Sequence, residues 1–277
     1  MDLAEAAPMD AHDAKNLAPL SPPCSNALAV WTLYMREVRR FTKVYSQTIL
    51  APVVTTLLFL AIFALALGRS VDTVMGVPFL QFLAPGLITM AVAQNAFANT
   101  SSSIVIAKVQ GNIVDTLMPP LTAGELTLGL AMGGATRGVV VGLLVAVVMS
   151  IFVPVAVHSV VLFAYFLFSA SLLLSLLGIA GGIWSEKFDH IAAVTNFVVT
   201  PLSFLSGTFY SVDRLPAAFQ LAAHLNPFFY MIDGFRFACI GRSDTSPWVG
   251  ALVLAVVNAA LWMLCRGMFA TGYRLKT

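Results

Sequence analysis

Apolar residues in this chain gather in six long runs separated by short polar breaks, at about 48–68, 79–106, 126–152, 159–183, 191–210 and 247–270. Roughly 20 apolar residues in a helix cross the hydrocarbon of a bilayer. Each run therefore predicts a spanning helix, and the chain is expected to be an all-α membrane protein with six transmembrane helices. Pro52 sits in the first turn of the first run, where its missing N–H costs little.

Two regions depart from that plain pattern. Over 28–46, Trp31, Tyr34, Met35, Val38, Phe41 and Tyr45 recur at helical spacing, while Thr32, Arg36, Arg39, Arg40, Lys43 and Gln47 take the opposite face. This predicts a basic amphipathic helix lying in the headgroup layer, apolar side down. The second region is 191–241. The run 191–210 is interrupted by Pro201 and Gly207, and Pro216 and Pro227 each open a short helix. Neither piece of 211–241 is long enough to cross, so they are expected to enter and leave on one side as a re-entrant hairpin packed against protein.

Composition agrees with the pattern. Hydrophobic residues make up 59% of the 277 residues and charged residues 10%. Roughly a quarter of a soluble domain is charged, so this chain cannot cover a water-facing surface. Residues 1–26 form a separate acidic, proline-bearing stretch with no cleavable leader pattern, expected to be a disordered cytosolic tail. Placing the amino terminus in the cytosol puts Lys15, Arg36, Arg39, Arg40, Lys43, Lys108, Lys187, Arg266, Arg274 and Lys276 inside and Arg69, Arg214, Arg236 and Arg242 outside. That asymmetry predicts both termini inside and the hairpin outside.

The polar groups within the runs are the candidate chemistry. The second run carries Asn95, Asn99 and Ser102, which either line a substrate path or bond neighbouring spans. Gly134, Gly138 and Gly142 recur at intervals of four in the third run and permit close backbone approach. Arg137, in the same run, either pairs with Glu125 or a partner's carboxylate, or reaches out to the headgroups. Asp233 and Arg236 stand three apart in the hairpin, either as an ion pair or as a solvated pair. His224 packs or caps there. The sequence shows no metal-ligand spacing, no catalytic constellation and no phosphate-cradling G-x-x-x-x-G-K-[ST] loop, so no cofactor and no enzymatic step are expected of it.

The segment Pro201-Leu-Ser-Phe-Leu-Ser-Gly-Thr-Phe-Tyr-Ser211, followed by Leu215-Pro216, His224-Leu-Asn-Pro227 and Asp233-Gly-Phe-Arg236, resembles the signature region of ABC-2-type transport permeases. The break from Gly111 to Pro120 is similar to that family's cytosolic coupling segment, and Phe82-Leu-Ala-Pro-Gly86 to the opening of its second span. The likeness covers 27–277 as one transmembrane domain. It falls in the bacterial branch of Yad-type permeases and nodulation lipo-oligosaccharide exporters.

That resemblance implies a division of labour. Two such chains pair in the bacterial inner membrane, each docked to a separate ATP-binding subunit, and an amphipathic, lipid-like or glycosylated molecule or a drug leaves outward. It places partner coupling on 108–122, with Gly111, Asn112, Asp115, Leu117, Met118 and Pro119 as contact candidates. It gives His224, Asn226, Pro227, Asp233 and Arg236 a structural or gating role in the outer hairpin. Two other classes are weighed beside it. An ion-gradient carrier would place carboxylates at the midplane, and few are there. An intramembrane lipid-modifying enzyme would need a catalytic set.

Overall fold

The computed structural model describes residues 26–68, 72–154 and 157–275. The expected tail over 1–26 therefore lies, apart from Asn26, outside the described residues, as do Arg69 and Lys276 of the charge count. The described residues are helical nearly throughout. Helix α1 (Ala27–Thr42) leads through a π-turn (Ser46–Leu50) into α2 (Ala51–Leu67). A two-residue hairpin follows, β1 (Thr73–Val74) with β2 (Val77–Pro78). Then come α3 (Phe79–Val109), the short α4 (Ile113–Leu117), α5 (Ala123–Met149) and α6 (Val160–Trp184). Helices α7 (Phe188–Val194) and α8 (Thr200–Leu205) are joined by a second π-turn, Thr195–Val199. Short helices α9 (Ala217–Leu225) and α10 (Pro227–Ile240) precede α11 (Pro247–Thr271).

Among the described residues, six helical stretches are long and apolar enough to cross a membrane: Ser46–Leu67, Phe79–Val109, Ala123–Met149, Val160–Trp184, Phe188–Leu205 and Pro247–Thr271. The fifth differs from the interrupted span read from sequence. It runs through Pro201, because the preceding π-turn shifts the bonding register where the proline supplies no N–H. It stops at Gly207, whose φ of +79° suits a residue without Cβ.

The core is a three-helix contact of α3, α5 and α6, and α3 is its centre, buried over most of its length. Small residues set the spacing. Gly134 faces Ser175 and Thr100, Gly138 faces Ser171, and Gly142 faces Val92 and Leu167. A Cβ at any of the three would overlap those groups. Closeness of this kind brings hydroxyls to backbone carbonyls: Ser171 donates to Ala135 O at 2.8 Å, Ser175 to Ala131 O at 2.7 Å, and Thr100 to Ser175 O at 2.8 Å. These bonds satisfy polar groups that hydrocarbon would not. The glycine ladder thus packs within the chain.

Both ends of the bundle are tied down by named bonds. Thr122 and Glu125 form a capping box at the start of α5, which satisfies two of its free N–H groups. Lys108 Nζ donates to Ile183 O and Ser185 O, both at 2.7 Å, and so caps the last carbonyls of α6. Arg274 adds a bond to Trp184 O at 3.0 Å.

Replacing Gly138 by Val should lower thermal stability in detergent by about 1–3 kcal/mol, the usual cost of overpacking. Gly267→Ala, where a Cβ would meet nothing within 4 Å, should leave it unchanged or raise it slightly. Equal melting of the two variants would remove the ladder from the account of the core.

Candidate functional site

The described residues hold two buried polar clusters, one toward each end of α3, roughly 25 Å apart along its axis from Phe82 to Asn99. The first lies where α1, the second half of α3, α4 and α5 meet. Helix α1 climbs along α5 in the same direction. Asn26 lies beside Glu125, Leu33 beside Gly129 and Glu37 beside Gly133. Gly129 and Gly133 make room for it, since a Cβ at Gly129 would stand 2.7 Å from Leu33 Cδ2.

Glu37 is the centre of this cluster and only 1% exposed. Its carboxylate takes Arg40 Nη2 at 2.9 Å, Arg36 Nη2 at 3.4 Å and Ser103 Oγ at 2.8 Å. Arg40 donates further to Ser102 Oγ at 3.2 Å, to Asn99 Oδ1 at 3.1 Å and to Asn99 O. Arg36 donates to Thr116 Oγ1 at 3.3 Å and so joins α1 to α4. One turn further along α3, Asn95 Oδ1 accepts from Arg137 Nη2 at 3.0 Å. The polar stripe of α3 is therefore occupied by arginines from α1 and α5.

Two readings of the sequence change here. The basic face of α1, expected to serve a helix lying in the headgroup layer, turns Arg36 and Arg40 back onto the protein because Glu37 and the α3 stripe offer acceptors there. Arg137 bonds an asparagine and not Glu125, which is taken by its own helix cap and by Asn26 N.

Helix α4 is bounded by Gly111, with φ +74°, and by Asn112, whose carbonyl accepts from Asp115 N at 3.1 Å. It presents Val114, Leu117 and Met118 outward, Met118 being 76% exposed. Asp115 faces a groove of about 740 Å³ that runs between α4, α1 and α3. Pro119 borders a smaller cavity of about 340 Å³ under α1. The six coupling candidates thus share one surface beside the Glu37 cluster.

The second cluster surrounds α10. Asn226 caps it by accepting from Phe228 N at 3.1 Å, and Pro227 fills its first position. The Asn226 amide also donates to Ser206 Oγ at 2.7 Å and Leu202 O at 3.1 Å, so α8 and α10 are pinned together. His224 bonds Gln220 O at 2.7 Å and packs on Phe229. Asp233 and Arg236, each 1% exposed, do not pair. Asp233 accepts from Asp244 N at 2.8 Å, Thr245 N at 3.0 Å and Thr245 Oγ1 at 2.8 Å. Arg236 donates to Gly207 O and stacks 4.0 Å above the Phe82 ring. Three residues of helix separate them, but each finds a loop's backbone closer than the other's side chain. Asp244 in turn accepts from Ser211 Oγ at 2.6 Å and Val212 N at 3.1 Å. The loops 206–212 and 241–246 are held to α10 as one unit.

Sequence reasoning missed Glu37, Asp244 and the pair Gly129 and Gly133. Glu37 had a signal, being the sole acid on a strongly basic helix. Asp244 had none, since the partners of its carboxylate lie more than thirty residues away.

Residues 28–239 match the ABC-2 type transporter family. The chain is 38% identical over 250 residues to the inner membrane transport permease YadH of Escherichia coli (strain K12), covering 90% of this chain and 98% of that protein. It is 27% identical over 235 residues to nodulation protein J of Rhizobium leguminosarum bv. trifolii, covering 84% and 88%. Nodulation protein J of Sinorhizobium fredii (strain NBRC 101917 / NGR234) matches at 27% over 227 residues, 78% of this chain and 82% of that one. The fold class is that of a polytopic helical transport subunit. The chain belongs to the ABC-2 type transporter family.

Glu37→Ala strands two arginines beside a low-dielectric wall. It should destabilise the chain by about 1–2 kcal/mol, below the range for a fully buried pair because both arginines keep contact with water. Adding Arg40→Met should recover part of that loss, as read by a double-mutant cycle on thermal unfolding. Additive losses would mean that the two side chains act independently.

Proposed function

We propose that this chain is the membrane-spanning subunit of an ATP-driven exporter, working as a pair of identical chains with two copies of a separate ATP-hydrolysing subunit. It moves an amphipathic, lipid-like or glycosylated molecule, or a drug, outward across a bacterial inner membrane. Both termini and α4 face the cytosol in this reading. Helix α1 sits at the inner interface, and α9 with α10 forms the re-entrant hairpin on the outer side.

The observation that carries the reading is the wiring of α4. Its exposed apolar face is free for a partner, and its other side reaches α1 through Arg36 and Thr116. From α1 the same network passes through Glu37 and Arg40 to α3. A push on α4 thus acts on the central helix of the bundle. Family membership supports the division of labour, since the relative YadH is named a transport permease. Helix α2 and the α7–α8 helix bury little of their apolar surface in the chain. Lipid or a second copy can cover them.

Asp115→Arg should weaken capture of the ATP-hydrolysing partner about tenfold, or about 1.4 kcal/mol, while membrane insertion and melting temperature stay as they were. ATP-dependent transport in vesicles should fall with it. Full transport by this variant, or pumping by the chain without its partner, would overturn the proposal.

A further inference from the structure

We propose that the groove between α1 and α3 is a binding site for the phosphodiester headgroup of an anionic membrane phospholipid. The inference goes beyond the transport reading; the groove shares Asn112 and Asp115 with the coupling surface of that reading, so its test is run without the partner.

Charge is the first observation. Arg36, Arg39, Arg40 and Lys43 stand at i, i+3, i+4 and i+7 of one helical face and all line the groove. Only two carboxylates, Glu37 and Asp115, line it with them. Glu37 is already shared by Arg36 and Arg40. Among the described residues, Arg39 and Lys43 have no carboxylate within ion-pair distance. Arg137 adds another cation deeper along α3, held by a neutral amide rather than a counter-ion. The excess positive charge, carried by the exposed Arg39 and Lys43, therefore lines one groove, whose field attracts an anion.

The second observation is the shape and lining of the cavity. At about 740 Å³ it has room for a headgroup, and it is open along one side. Ser103, Gln110 and Asn112 add neutral polar groups, so a phosphoryl oxygen meets both charge and hydrogen bonds. Trp31, Met35 and Ile106 form an apolar wall in the same groove. A soluble anion has no use for that wall; an acyl chain does. Trp31 is more than half exposed, and Leu28 and Tyr45 near the two ends of α1 are exposed as well. Aromatic and basic side chains on one helix are the pattern of a headgroup contact.

The depth agrees. On α3 the groove touches only Ser103, Ile106, Ala107 and Gln110, in and just past the last two turns, so it lies toward one end of that apolar span.

The test uses the chain alone, purified in detergent without any ATP-hydrolysing partner, so a negative result leaves the transport reading standing and a positive one does not prove it. Native mass spectrometry with titrated phosphatidylglycerol should show tighter binding than with phosphatidylcholine. In the double variant Arg39→Gln/Lys43→Gln that preference should fall about thirtyfold, since each Lys or Arg near an anionic lipid surface contributes roughly a fivefold gain. Neither side chain makes a bond within the described residues, so the variant should melt like the parent. Arg242→Gln/Arg266→Gln removes the same charge from exposed sites outside the groove and should leave the preference intact.

Three results would overturn the proposal. One is equal binding of the two lipids, and another is unchanged phosphatidylglycerol binding in the groove variant. The third is displacement of the lipid by inorganic phosphate, which would make the site one for a free anion.

Discussion

The distance between α3, α5 and α6 decides most of this structure. Helices in lipid gain nothing from hiding apolar surface, because the solvent is equally apolar. What holds them is contact and the polar bonds that contact allows. Gly134, Gly138 and Gly142 bring α5 against Thr100, Ser171 and Ser175, and Gly178 does the same between α6 and Phe97 of α3. Only at that spacing do the serine hydroxyls reach the carbonyls of Ala131 and Ala135. The neighbouring face of α5, with Gly129 and Gly133, is then left for α1. One helix therefore uses two small-residue faces, and the position of Glu37 follows from the second.

Helix α3 links the two polar clusters. Its first turns carry Phe82 under Arg236 and Gly86 against the Thr208 carbonyl. Its later turns carry Asn95, Asn99, Ser102 and Ser103 under the arginines of α1 and α5. Between them the helix is packed on nearly all sides. Closely packed interiors shift between discrete arrangements rather than deforming smoothly. Both clusters are therefore fastened to one well-packed helix.

Spans, breaks and small-residue ladders were legible in the sequence because hydrocarbon imposes a length and a composition on every crossing segment. The polar residues were legible as residues but not as partners. Asn95, Asn99 and Ser102 form one stripe by helical spacing, yet nothing in that spacing names Arg40 and Arg137 as their neighbours. Asp233 and Arg236 invite pairing by spacing alone; the loops bearing Gly207, Asp244 and Thr245, folded back from elsewhere in the chain, draw them apart. Helix α1 misled for a related reason. Amphipathicity measures which residues segregate, and here two of the four basic side chains, Arg36 and Arg40, also found a buried carboxylate and the polar groups of α3 and α4. Periodicity reports what one element offers, while burial of charge depends on what a second element brings.

The two clusters differ in how tightly they are closed, and this orders their responses. Around α10, Asp233 and Arg236 are sealed from solvent and bonded to backbone groups of loops that are themselves fastened by Asp244. At the other end, the side chains of Arg36 and Arg40 keep 47% and 31% of their surface exposed while sharing one carboxylate. Opening the α10 cluster strands buried ions, which is the costly direction. Rearranging the Glu37 cluster moves arginines that already touch water, so less desolvated charge is put at risk. Under the proposed mechanism, force arriving through α4 meets the softer cluster first. The loops over α10 then follow α3 as a unit rather than opening on their own.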